Sequence, residues 1–271
     1  MTQQAKSARR ESDSRSAPPS AETPLLHIPA ASEQRTARIM GAWFLGTFLF
    51  SIPAYFFFEP LLNDPDYMAD GGSASRIGIG SLLEILLAVC GIATAVVIHP
   101  IVQRVNRSVA LGYIAARTVE SILILVGVLS LMAVVALHQD LAVTGDSNDT
   151  YTEVSNALVV LHEQTRLLGP QFCAGLGNGI LLGYLMWRSR LLPRPMVMIG
   201  LIGGPLAVAA GVGVLLGAWE KAAGLPVALT APEAIWEFSL SVYLLVKGFR
   251  PSPILIGTPM TPAEPPKTLP S

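Results

Sequence analysis

A chain of 271 residues with 51% hydrophobic and only 14% charged side chains, and a mean hydropathy of +0.52, has too little polar surface to coat an ordinary soluble domain. Its expected solvent is a bilayer. The formal net charge of −1 leaves no basic footprint for nucleic acid, and the two cysteines, Cys90 and Cys173, lie in apolar runs without metal-ligand spacing or the pattern of a disulfide framework.

Residues 1–34 are rich in Ser, Ala, Gln, Arg and Glu and lack the apolar core of a signal peptide, so they read as a disordered cytoplasmic tail. The membrane domain is expected over 35–250. A bilayer core of roughly 30 Å needs about 20 helical residues at roughly 1.5 Å each. Six apolar runs reach that length: 39–58, 77–98, 109–137, 167–187, 196–219 and 226–246. Short strands of alternating polarity are missing, which favours helices over a barrel. The fold class is therefore all-α, a polytopic membrane bundle of six transmembrane helices.

Breaks and small residues mark individual spans. Pro53 and Pro205 remove helix hydrogen bonds inside the first and fifth. Gly169-Pro170 interrupts the entry to the fourth, so 154–168 is either an interfacial helix or an extension of that span. Gly175, Gly179 and Gly183 recur at four-residue spacing, as do Ala209, Gly213 and Gly217, and such rows let helix backbones approach closely, most simply inside the bundle. Beyond Arg250, repeated prolines make 251–271 an expected extended cytoplasmic tail.

Orientation follows from Lys and Arg, which are retained on the cytoplasmic side. Arg35 and Arg38 precede the first span; Arg104 and Arg107 follow the second; Arg188, Arg190 and Arg194 the fourth; Lys247 and Arg250 the sixth. The opposite loops carry Glu59, Asp64, Asp66 and Asp70, then Asp140, Asp146, Asp149 and Glu153. Both termini are thus expected in the cytoplasm.

Ionisable residues inside apolar runs carry the functional signal, because a charge at the bilayer centre costs about 2.5 to 3.5 kcal/mol on insertion scales. Glu84, Arg117, Glu120 and Glu237 fall at comparable depth, and Arg117 and Glu120, three apart, share a helix face. One arginine cannot neutralise three carboxylates. At least one Glu is therefore expected to carry a proton, or to pair with Arg166 or His162 should the fourth helix dip inward. His162, Glu163 and Arg166 are possible outer-side contributors. A metal is not expected there, for want of further ligands, and no cofactor is called for. Phosphate loops, HExxH pairs and GxSxG elbows are absent from the sequence.

The order of features resembles the uncharacterised bacterial membrane family known as domain of unknown function 4386. The likeness runs from Arg35-Thr36-Ala37-Arg38-Ile39 through Glu84, Val105-Asn106-Arg107, Arg117, Glu120 and His162. It continues through Leu182-Gly183-Tyr184-Leu185, Arg188-Ser189 and Leu192-Pro193-Arg194 to Glu237 and Tyr243-Leu244-Leu245-Val246-Lys247-Gly248. Tyr243, where Trp is expected in many relatives, and the long polar tails depart from it. The resemblance implies a multi-pass protein of the bacterial cytoplasmic (inner) membrane and assigns no activity.

The first functional reading is a non-enzymatic protein, a small transporter or a lipid or small-ligand binder, built on Glu84, Arg117, Glu120 and Glu237. The second is a membrane-embedded enzyme acting on a lipid or quinone-like substrate, with a Glu or His162 as general base. The third is a structural or partner subunit. Expected partners are the bilayer and a small-molecule or lipid ligand; sequence leaves the oligomeric state open.

Overall fold

The computed structural model describes residues 25–64, 67–68, 71–144, 148–219 and 224–260. The bulk of both expected tails, 1–24 and 261–271, lies outside the described residues. Those described form an all-α architecture without a strand.

Helix α1 (Ala31–Asn63) opens with the Glu33 carboxylate accepting the Ala30 N–H at 3.0 Å, which satisfies one of the orphan donors of a helix start. Near its far end Pro60 has no N–H to give to the Phe56 carbonyl. Arg76 of α2 (Ala74–Val102) replaces that donor, with Nη2 at 2.7 Å from Phe56 O and Nε at 3.2 Å from Phe57 O. The start of α2 is fixed beside it by the Ser73 hydroxyl, which caps the Arg76 N–H. A short turn leads to α3 (Arg107–Thr144), 38 residues and about 57 Å at ~1.5 Å per residue, well beyond a bilayer core.

The next crossing is the unusual one. Helix α4 (Asn148–Arg166) runs without a break into π-helical turns at Leu167–Cys173 and Gly175–Leu182, and then into α5 (Gly183–Ser189). Arg166 and Ala174, the residues at the joints, keep right-handed helical dihedrals. Of the two readings of 154–168, the structure has the extension. Pro170 cannot bond back to the Arg166 carbonyl, and the wider π register begins at this point.

The hairpin of α6 (Arg194–Leu215) and α7 (Gly224–Val246) completes the bundle. Each element packs on its sequence neighbour, the π turns pack on α3 and α6, and α7 returns to α1. The helices thus close into a ring. Of the six expected spans, four are helices long and apolar enough to cross a membrane, namely Ala31–Asn63, Ala74–Val102, Arg107–Asp140 and Arg194–Leu215. The fourth span is divided between π and α turns. The sixth is a single helix of 23 residues in which glutamates and prolines dilute the apolar content.

The two glycine-bearing rows fare differently. A Cβ on Gly179 would lie 2.3 Å from Gly204 Cα, and one on Gly175 would lie 2.9 Å from Gly204 O, so the first row is the closest approach of the π turns to α6. The face that α6 offers there is Gly204, Ala207 and Val208, while Gly203 packs on the backbone of α7 at Pro232 and Glu233. The expected row Ala209, Gly213 and Gly217 does not form one packed face: Ala209 is exposed, Gly213 sits under the Trp219 ring, and Gly217 has φ +70° at the helix end.

Buried apolar side chains gather in two clusters. One, with Phe44, Ile98, Tyr113, Leu185 and Trp236, lies toward the end where α2 meets α3. The other, with Phe58, Leu61, Ile77, Leu131 and Val159, lies toward the end where α1 meets α2. Between them along α2 and α3 fall Glu84, Thr94, Arg117, Glu120 and Ser121, all buried, while Leu49, Ile52, Leu82 and Leu129 face outward at 55 to 69% exposure. Apolar residues outside and charges inside reverse the plan of a soluble protein.

Where residues 25–34 meet 248–260, the chain is knitted together. His27 and Ser252 exchange backbone hydrogen bonds at 3.1 and 3.0 Å, Ile28 N–H reaches Thr258 O at 2.8 Å, and Met260 N–H reaches Leu26 O at 2.7 Å. Gly248, at φ +70°, turns the chain out of α7 so that Phe249 exchanges two hydrogen bonds with the Gln34 side chain. Glu33 accepts from Arg104 and from the Ile256 N–H, each at 3.2 Å. The expected tail boundary at residue 34 therefore falls inside α1, and 251–260 pack back onto the bundle instead of extending away. Proline removes donors, but the remaining backbone groups here find partners more than 200 residues away.

Candidate functional site

The polar belt between the two apolar clusters has two arms. In the first, Arg117 of α3 places Nη1 2.6 Å from Glu120 Oε2, one turn on, and Nε 3.1 Å from the Gly91 carbonyl of α2. Its guanidinium carbon stands 6.0 Å from the centre of the Phe44 ring. The packing is tight at Gly91, where a Cβ would lie 3.0 Å from Ser121 Oγ and 3.1 Å from Arg117 Nη2, so that either side chain would have to give by a few tenths of an ångström. Arg117 and Glu120 are 2% and 6% exposed, so neither is relieved by solvent.

Glu237 of α7 enters the same arm through an amide. Asn178, in the π turns, donates from Nδ2 to Glu237 Oε1 at 2.5 Å and accepts the Tyr113 hydroxyl on Oδ1 at 3.1 Å. Tyr113 in turn lies 3.4 Å from the Thr94 hydroxyl, and the indole N–H of Trp236 donates to the Asn178 backbone carbonyl at 3.2 Å. An uninterrupted polar chain thus links α2, α3, the π turns and α7. Both halves of the Asn178 amide are used, which fixes its rotamer.

The second arm is the pair Glu84 with Arg166, at 3.1 Å, with the guanidinium 5.9 Å from the Tyr55 ring centre. Glu84 is buried, whereas the Arg166 side chain keeps 35% of its exposure. Of the residues expected to converge, Arg117, Glu120 and Glu237 share the first arm, and Glu84 is drawn off by Arg166. His162 is fully buried, edge-on to Phe58 at 5.5 Å, with the Thr165 hydroxyl bonded to its carbonyl at 2.7 Å. Glu163 lies half-buried on the same helix. Among the described residues no three His, Cys, Asp or Glu side chains gather as metal ligands.

Sequence reading missed Glu233. It lies on α7 one turn before Glu237, is 3% exposed, and no donor among the described residues reaches either carboxyl oxygen. Glu237, Glu120 and Arg117 are its electrostatic neighbours. The carboxyl is wedged at the glycine crossing, where a Cβ on Gly179 would come within 2.5 Å of Oε2 and one on Gly203 within 2.6 Å of the Glu233 nitrogen. Thr230, one turn earlier, lines a cleft of about 340 Å³ with Gln171, Pro226, Val227, Ala231 and Ala234, and Gln171 Nε2 lies 3.4 Å from its hydroxyl. The signal was present in sequence, because Thr230, Glu233, Glu237 and Ser241 repeat at helical spacing. Asn178 had none beyond being an amide within a glycine-rich run.

No curated protein and no solved structure matches this chain. A family model does match, over residues 39–248, which takes in every helix that supplies the belt and all but the first turns of α1. With that extent of match, the chain belongs to the family described as domain of unknown function (DUF4386).

Proposed function

We propose that this is a six-crossing α-helical protein of the bacterial cytoplasmic membrane, with both termini inside, whose polar belt is the proton- or cation-exchanging site of a small transporter. Four helices of spanning length support the crossings. So does α7, whose 23 residues reach about 34 Å at ~1.5 Å each. Lys and Arg cluster at the end where residues 25–34 meet 248–260, which supports placing that end in the cytoplasm.

Glu233 carries the site reading. A network that only fixed helix positions would leave none of its members unpaired, since an isolated buried carboxylate costs several kcal/mol. Arg117 with Glu120 and Glu84 with Arg166 meet that structural criterion. Glu233 does not meet it through any described residue, and a proton or a small cation is the proposed source of the missing charge. Thr230, one turn before it on α7, lines the Gln171 cleft, and exchange is proposed to run between that cleft and the carboxyl.

Infrared difference spectra of the purified chain, taken between neutral and acid pH in light and heavy water, test this. A carboxyl stretching band that shifts with solvent deuterium and vanishes in Glu233→Gln is the expected result, with thermal stability equal to or above wild type because the isostere carries no charge. Superimposable spectra of variant and wild type would return the belt to a purely structural role.

A further inference from the structure

A second cleft lies where residues 25–28 and 250–260 meet the turn between α5 and α6. Its volume is about 370 Å³. Three arginines from separate parts of the chain line it, Arg190, Arg194 and Arg250, and Leu26, Leu192 and Met260 supply apolar wall. None of the three arginines forms an ion pair with a described residue. The Arg194 guanidinium carbon lies over the Trp187 ring, 5.3 Å from its centre.

The local backbone holds these side chains in place. Arg190 occupies the left-handed region at φ 59°, the cap that ends α5. The Arg250 N–H bonds to Leu191 O at 2.9 Å, and the Ser252 hydroxyl bonds to the Ser189 carbonyl. The bonds of Leu26 and Ile28 to Met260 and Thr258 bring the terminal segments over the same turn. Such convergence of like charge is costly in a free protein and is relieved by an anion.

We propose that this cleft binds the phosphoryl group of an anionic lipid, with Arg190, Arg194 and Arg250 on the phosphate oxygens and Leu26, Leu192 and Met260 against the start of the acyl chains. Guanidinium forks match phosphate oxygens in pairs. Basic pockets at the cytoplasmic ends of helices suit anionic headgroups for the same reason. Inorganic phosphate shares the charge but has nothing to place against the apolar wall. The assignment rests on the membrane part of the function proposed above and is independent of Glu233.

The full chain in neutral detergent, titrated with short-chain phosphatidylglycerol, phosphatidylcholine of equal chain length and inorganic phosphate, gives the test, with native mass spectrometry and thermal shift as readouts. Phosphatidylglycerol should bind and stabilise well above phosphatidylcholine. Arg250→Gln and Arg190→Gly should each weaken it about fivefold, as expected for one basic side chain near a lipid headgroup. Glycine accepts the left-handed conformation at 190, so that variant keeps the turn. Equal binding of the two lipids, or arginine variants indistinguishable from wild type, would overturn the proposal; so would inorganic phosphate binding as tightly as phosphatidylglycerol. The Glu233→Gln variant should bind the lipid as wild type does, which separates this result from the fate of the proton site.

Discussion

The two arms of the polar belt use the same pair of residue types and solve different problems. Arg117 and Glu120 are both inside the bundle, and the arginine must answer to two further carboxyls on α7. Glu84 is as deeply buried, yet its partner Arg166 reaches it from a half-open position at the side of the ring. The first arm has no solvent to share its charge with, so its geometry is dictated by side chains and backbone carbonyls. The second can trade some of its pairing for hydration. Charge pairs of the same residue types therefore differ in worth according to what else can solvate them.

That difference can be attacked from both sides. Arg117→Met should have the largest effect, about 3 to 5 kcal/mol of lost stability from stranded buried carboxylates, measured by chemical unfolding in mixed micelles. A loss below that of the outer arm would erase the distinction. Asn178→Leu comes next, at about 1 to 3 kcal/mol, because it leaves Glu237 and the Tyr113 hydroxyl without their shared partner. Tyrosine fluorescence and Tm together report whether Tyr113 loses its fixed position; an unchanged Tm would mean that the amide is not a linchpin of the inner arm. The smallest effect is expected for Arg166→Gln, about 1 kcal/mol or less after allowance for exposure and hydration. Should it rival Arg117→Met in the same unfolding assay, the half-open arm is in truth the tighter one.

Much of this was legible in the chain itself. Apolar runs between charged loops located the helices, because hydrocarbon admits few other backbones. The spacing of Arg117 and Glu120 announced their pairing, since three residues bring side chains onto one helix face. Arg166 with Glu84 was foreseen only conditionally, as it depended on how far the fourth crossing runs inward. Three features were not legible. Pro170 signals a break, but neither the π register that follows nor its length is encoded in a local preference strong enough to read. Asn178 gains its meaning from Glu237 and Tyr113, which lie 59 and 65 residues away. Residues 25–34 and 251–260 look like tail by composition, and only their tertiary pairing places them on the bundle.

The join between Gln34 and Phe249 spans 215 residues and sits where α7 returns to α1. A contact of that separation forms late, because its loop-closure entropy is offset only after the intervening helices have assembled. Until then α1 has one flank without its neighbour, and α7 is held by α6 and the π turns. On the six-crossing reading proposed above, insertion is accordingly not finished when the last helix enters the membrane. It ends with a clasp, and the interval before the clasp shuts is when a helix-binding chaperone or a second copy would find an open side.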